Sequence, residues 1–145
     1  MKNSILVLAL FCISTLTSFA QCDEHLLDKA KQKLSEKEVL LKDYKVKLGT
    51  ATIDQPSPVA EFSQPFETGK TYRLRIISDT EDLGAQGILR LFEGNNYLGS
   101  SFLERTNRHF KWFDFKCQKT GNYKILVTFQ DGKAGCAIVL ISVLP

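Results

Sequence analysis

The stretch Tyr123-Lys124-Ile125-Leu126-Val127-Thr128-Phe129, then Gln130-Asp131-Gly132-Lys133-Ala134-Gly135, then Cys136-Ala137-Ile138-Val139-Leu140-Ile141-Ser142-Val143, decides how the rest of the chain is read. Tyr123, Ile125, Val127 and Phe129 alternate with Lys124, Leu126 and Thr128, the period of a half-buried strand. The Asp131-Gly132 pair suits the positive φ values of a tight turn. The return run is apolar at consecutive positions, as expected of a strand covered on both faces. Together these predict a terminal β-hairpin. With a loop of two or four residues, Cys136, Ile138 and Leu140 share the face of Tyr123, Ile125 and Val127. A three-residue loop would break that agreement, so register carries the prediction.

Working outward, the same alternation recurs upstream. His109 to Cys117 is an aromatic strand, turned into the terminal pair by Lys119-Thr120-Gly121-Asn122. Tyr97 to Phe102 and Ile88 to Phe92 are separated by the turn Glu93-Gly94-Asn95-Asn96. Tyr72, Leu74 and Ile76 alternate with Arg73 and Arg75 before the acidic loop of Asp79, Glu81 and Asp82. Val59 to Phe62 reads as a short strand, and Pro65 to Gly69 as a turn. Gly49 to Pro58 is a polar, exposed linker. Tyr44, Val46 and Leu48 form a further strand whose lysines, Lys45 and Lys47, face outward and protect an edge. About seven or eight short strands at regular spacing predict a mainly β protein, an antiparallel β-sandwich of jelly-roll type.

The N-terminal side differs. Residues 1–20 have a basic start at Lys2, an apolar core from Ile5 to Leu16 and the small-x-small site Ser18-Phe19-Ala20, the layout of a signal peptide. Cleavage after Ala20 is expected, giving an exported protein, periplasmic or secreted. Lipidation at Cys22 is disfavoured, because it needs a small residue before the cysteine and Gln21 stands there. Residues 21–42 form a helical segment and 43–145 the sandwich domain. Asp23 to Leu34 is the predicted helix, with acids at its start and lysines at its end. Its Leu27, Ala30 and Leu34 make an apolar stripe to be packed on the sheet. Ser35 and Glu38 have capping-box spacing, which predicts a new helical turn into Val39-Leu40-Leu41.

Cys22, Cys117 and Cys136 remain after the signal peptide, in a compartment that permits disulfides. Three thiols allow three pairings. Alternation places Cys117 with Phe113 and Phe115, and the hairpin register puts Cys136 on the same inward face, so Cys117–Cys136 is the expected bridge. It would close a loop of about twenty residues, worth on the order of 3 kcal/mol. Buried free thiols are the plainer alternative. Cys22 is then a mobile thiol, or a staple holding the helix to the sheet.

A formal charge of +3 over 145 residues, less Lys2, is too balanced to argue for nucleic acid or anionic lipid. No stretch in the mature chain is long and apolar enough for a membrane helix. His25 and His109 stand apart, the cysteines lack metal spacing, and the glycines are isolated turn residues. No catalytic residue, metal or cofactor is therefore expected. The acidic loop around Asp79 has too few ligands for calcium and reads as a solvated turn. Phe110 and Trp112 lie opposite Phe113 and Phe115 on the aromatic strand, alongside Leu126 and Val139. Exposed, they would stack on a sugar or anchor a partner; covered by the helix, they are a second core layer, and the unpaired stripe of Leu27, Ala30 and Leu34 favours the covered reading. The candidate binding surface is Phe110 and Trp112 with the loops at Asp79 and Asn95, and an envelope protein or a glycan is the partner class considered. The alternatives are a small exported enzyme using Cys117 or Cys136 with His109, and an assembly subunit pairing through Cys22.

The segments Phe113-Asp114-Phe115-Lys116-Cys117-Gln118-Lys119-Thr120-Gly121-Asn122-Tyr123 and Phe129-Gln130-Asp131-Gly132-Lys133-Ala134-Gly135-Cys136-Ala137 resemble a family of small secreted proteins of Bacteroidetes-type bacteria. The resemblance reaches back through Lys42-Asp43-Tyr44-Lys45-Val46-Lys47-Leu48 to Cys22. Gly69-Lys70-Thr71-Tyr72-Arg73-Leu74 and Thr120-Gly121-Asn122-Tyr123 are also similar to bacterial pre-peptidase C-terminal domains, which are non-catalytic β-sandwich appendages of secreted enzymes. That likeness runs from about Val59 onward, without an attached enzyme domain and without most of the acidic calcium-type positions. It implies an exported sandwich with no catalytic residues to carry across.

Overall fold

A computed structural model describes Cys22, residues 24–79 and residues 85–145. The signal peptide expected over 1–20, and Glu81 and Asp82 of the acidic loop, lie outside the described residues. Helix α1 spans Glu24–Lys31, and the strands are β1 (Val39–Leu48), β2 (Ala60–Phe66), β3 (Thr71–Ser78), β4 (Gly87–Glu93), β5 (Asn96–Ser100), β6 (Phe102–Leu103), β7 (Arg108–His109), β8 (Trp112–Lys116), β9 (Gly121–Phe129) and β10 (Gly135–Leu144).

Eight strands form two four-stranded sheets, ordered β1-β10-β3-β8 and β2-β9-β4-β5, while β6 and β7 pair separately. Every strand pair is antiparallel. With β6 and β7 set aside, the orders become first-eighth-third-sixth and second-seventh-fourth-fifth, the double Greek key of a jelly roll. The sandwich expected from the spacing of short strands is thus present, with a helix packed on it.

The sheets meet over one apolar core. Tyr72, Leu74 and Ile76 of β3 face Leu89 and Leu91 of β4 and Ile125 and Val127 of β9, all buried. Phe113 and Phe115 pack against this core from β8, as their alternation predicts. Phe66 joins Tyr72 in a stacked pair with ring centres 4.1 Å apart. β1 pairs only with β10, the edge position that its outward lysines imply. The turn expected from Pro65 is corrected: β2 runs on through Pro65 and Phe66 and pairs only with β9, an edge placement that tolerates the missing amide.

The terminal hairpin is corrected. β9 pairs with β2 and β4, whereas β10 lies in the other sheet between β1 and β3. Gln130-Asp131-Gly132-Lys133 is a left-handed turn that carries the chain across the sandwich, closed by the Lys133 amide donating to Gln130 O at 3.2 Å, with Asp131 at φ 58 and Gly132 at φ 65. The Asp-Gly pair therefore turns the chain between layers instead of within one. Gly135 is required at the start of β10, since a Cβ there would meet the Phe129 ring at 2.1 Å. Because the strands face one another across the core, Ala137, Val139 and Ile141 point inward. Cys136, Ile138 and Leu140 point out, against Leu26, Leu27 and Ala30 of α1.

The helical turn expected after Ser35 is also corrected. Glu38 does reach back, its Oε1 accepting from the Ser35 amide at 3.4 Å. No helix follows among these residues, because Val39 and Leu40 pair with Val143 and Ser142 of β10. Leu41 is left as the extra residue of a bulge before pairing resumes at Lys42.

Candidate functional site

The outer face of the β1-β10-β3-β8 sheet carries the polar chemistry. Register places Ser142, Arg73 and Asp114 in one row across β10, β3 and β8, with Leu140, Arg75 and Trp112 in the next. Arg73 and Arg75 thus project from an inner strand onto a face that α1 covers only in part. Cations there need counter-charge, and Glu38 supplies it.

The Glu38 side chain is fully buried. Its Oε1 accepts from Arg73 Nη1 at 3.1 Å and Arg75 Nη2 at 3.0 Å. Its Oε2 accepts from the Ser142 hydroxyl at 2.9 Å. Burial pulls the Glu38 carboxyl upward. The Ser142 hydroxyl, Arg75, the Ser35 amide and Arg73 together outweigh that pull and hold its pKa below the ordinary value. Arg73 also grips Asp114 in a two-point fork, Nε to Oδ1 at 2.7 Å and Nη2 to Oδ2 at 2.8 Å. These bonds push the Asp114 carboxyl down against the opposing effect of burial, and Asp114 in turn raises Arg73. Both guanidiniums lie by the Trp112 ring, Arg75 at 4.8 Å and Arg73 at 5.3 Å from its centre. The buried Nε of Arg75 has no hydrogen-bond acceptor, and the indole beside it provides a cation–π contact instead.

Beside this cluster lies a cleft of about 640 Å³, within the usual range for small-ligand sites. One wall is the segment after α1, with Lys33, Ser35 and Glu38; the floor is Arg73 and Arg75 to Ser78; the other wall is His109 to Trp112. Two backbone bonds set the second wall. The Phe110 amide donates to Ser101 O at 2.8 Å, and the Ile76 amide donates to Lys111 O at 3.0 Å. Phe110 and Trp112 are 37% and 42% exposed. The second core layer expected of them is therefore corrected: α1 covers Ile138 and Leu140 of β10, leaving β8 open. Their expected neighbours also differ, since Val139 faces the core and Leu126 belongs to the other sheet.

The structure brings together only part of the predicted surface. Phe110 and Trp112 line the cleft. Asp79 directly follows Ser78 on its border, with its amide donating to Cys136 O at 2.9 Å. Asn95 is elsewhere. Gly87, the first residue of β4, lines the cleft, but Asn95 lies beyond the far end of that strand, roughly 20 Å along it. Among the described residues no three His, Cys, Asp or Glu side chains gather as a metal site.

The cysteine pairing is corrected too. Cys22 is bonded to Cys136, and Cys117 is a buried free thiol. The cause is the layer crossing described above: β10 turns Cys136 away from the core that holds Cys117, toward the face where the N-terminal segment lies. The Cys117 thiol donates to Lys119 O at 3.2 Å and to the Tyr123 hydroxyl at 3.6 Å. Burial, with Cys117 next, pushes Tyr123 up to about 12. His109 instead shares a hydrogen bond with Gln130 Oε1 at 3.0 Å and packs on Phe102. The Cys136–His109 pair of the enzyme alternative is excluded by the disulfide, and Cys117 bonds to no imidazole.

Sequence reading missed Glu38, Arg73, Arg75 and Ser142 as one unit. The available signal was Arg73 and Arg75 on a strand that had to be an inner one, where an outward arginine demands a partner. No family model matches the chain, and no curated protein matches it. Among solved structures, the 1.0 Å crystal structure of the pre-peptidase C-terminal domain of collagenase from Bacillus anthracis is similar, at 16% identity and TM-score 0.51 over 69% of this chain and 87% of that one. At that identity the likeness shows fold alone: this chain has a β-sandwich similar to that of a pre-peptidase C-terminal domain.

Proposed function

We propose that this chain is an exported, non-catalytic binding module of the cell envelope, and that it takes its partner at the cleft beside Trp112. The observation that carries this reading is the pair of exposed aromatics, Phe110 and Trp112, at a cleft whose floor is fixed by a buried ion cluster. A rigid polar floor with aromatic walls is the make-up of a recognition surface. The sandwich fold it shares with a pre-peptidase C-terminal domain is compatible with such a role. Export is supported by the signal-peptide layout of residues 1–20 and by a disulfide, which persists in oxidising compartments. No helix among the described residues is long and apolar enough to cross a membrane. A Cys22 sulfur held in a disulfide can carry neither a thioether-linked lipid nor an intermolecular bridge, which argues against lipidation and against an assembly role through Cys22.

The test is binding of the mature protein to arrays of envelope glycans and envelope proteins, with Trp112→Ala beside the wild type. Retention of a specific partner by the wild type, and its loss in a Trp112→Ala variant that still unfolds cooperatively, is the expected result. A variant that binds as well as the wild type would move the site away from this cleft. A fast-reacting thiol in the native protein would reopen the enzymatic alternative, because Cys117 is expected to react only on unfolding.

A further inference from the structure

We infer that the cleft beside Trp112 takes an acidic saccharide, with its carboxylate or sulfate between Lys33 and Lys111 and its ring against the aromatic wall. This rests on the binding-module reading above and specifies the chemistry of the partner. The cleft is lined by four permanent cations, Lys33, Arg73, Arg75 and Lys111, against the single carboxylate of Glu38. Asp114, which holds Arg73 from outside the lining, and Asp79 on the border still leave an excess of one positive charge among the described groups.

The four cations are not equivalent. Arg73 and Arg75 are committed to Glu38 and Asp114 and are largely buried, so they form the floor and supply field more than contacts. Lys33 and Lys111 are exposed, stand on opposite walls, and form no ion pair with any described residue. Flexible ammonium groups with no acidic partner are the ones free to meet an incoming anion. A concave site with low-dielectric walls strengthens that attraction over what a flat surface gives.

The aromatic wall narrows the ligand further. A bare inorganic anion would gain nothing from Phe110 and Trp112, whereas a pyranose presents an apolar C–H face of the right size to lie on an indole. The Trp112 ring is held in place by the guanidiniums of Arg73 and Arg75, so little side-chain freedom is lost on stacking. Phe110 is similarly braced by Arg108, whose guanidinium lies 4.8 Å from the ring centre. Ring plus anion in one unit is the chemistry of uronic acids and sulfated sugars.

Trp112 is the only tryptophan of the chain, so its fluorescence reads this site directly. The mature protein is titrated with an oligouronate, a sulfated oligosaccharide and a neutral gluco-oligosaccharide, at about 0.05 and about 0.5 M NaCl. The expected result is a saturable emission change with one or both acidic sugars, weakened by salt, and none with the neutral one. Lys33→Glu together with Lys111→Glu keeps the reporter and alters two exposed residues. It is expected to weaken binding by about tenfold or more without moving the unfolding midpoint. The acidic arm that responds distinguishes carboxylate from sulfate. Equal response to the neutral sugar, or affinity untouched by the double reversal, overturns the acidic class while leaving the cleft as a binding site. Silence with every sugar overturns it as well, and the array experiment with Trp112→Ala then decides separately whether the cleft binds anything.

Discussion

At the scale of single residues, the pattern is one buried carboxylate serving two arginines and a hydroxyl. Removing one member of a buried ion cluster strands its partners, so Glu38→Gln is expected to lower unfolding free energy by about 3 kcal/mol. Asp114, whose side chain is 40% exposed, grips the same Arg73, yet Asp114→Asn is expected to cost less than about 1 kcal/mol. Urea unfolding of the two variants checks the contrast, and equal costs would mean the cluster is not organised around Glu38. Both carboxyls lie below their ordinary values in the folded state, so their contribution is full above the unfolded pKa of Glu38, 4.5, and fades as pH falls through the folded values. Tyr123 acts at the other end. Its folded pKa of about 12 exceeds the ordinary 10.0, so its contribution is full below pH 10 and is lost as pH rises through about 12. Stability measured against pH should therefore fall on both flanks, with the acid flank flattened in Glu38→Gln. Little of this was legible in the sequence. Glu38 showed itself as a capping residue, and the reach back to Ser35 is real, but its second and third partners lie across strands whose order the local pattern cannot reveal.

At the scale of elements, the strands were legible and their assignment to layers was not. Alternation along β9 and continuous apolarity along β10 say which faces are covered, and they say so equally for two strands side by side and for two strands across a core. The Asp131-Gly132 turn fits both. The misplaced disulfide and the misplaced cover over Trp112 descend from that one ambiguity, since both depend on which way Cys136 and its neighbours point. Helix α1 illustrates the other dependence. Eight residues are too few to hold a helix in water, so it stands on Leu26, Leu27 and Ala30 against β10, the Glu24–Lys45 ion pair and the Cys22–Cys136 bond. Cys22→Ser is expected to lower unfolding free energy by about 2–4 kcal/mol. Hydrogen exchange should show faster exchange of the α1 amides while β10 keeps its protection. Unchanged exchange in α1 would show that packing alone retains the helix.

At the scale of the whole molecule, β4–β5 is, among the described residues, the sole hairpin between neighbours within either four-stranded sheet; the other successive strands of the sandwich change layer. Contacts are therefore dominated by residues distant in sequence, and such topologies fold on millisecond to second timescales or slower. Stopped-flow refolding of the disulfide-intact protein should fall there, and microsecond folding would contradict the layer order. The sandwich was expected from strand spacing because about seven or eight short strands with turns between them leave few other ways to bury their apolar sides. What spacing does not encode is that β10 is an inner strand, bonded along β1 on one side and β3 on the other. That placement has a consequence during synthesis. The chain emerges from its N-terminus, so β1 and Cys22 must wait, without their native strand and sulfur partners, until β10 has left the ribosome. Closure of the Cys22–Cys136 bond then certifies that synthesis has passed β10, and a product truncated before that strand is left with an unpaired edge and an open thiol for quality-control proteases and oxidoreductases to find.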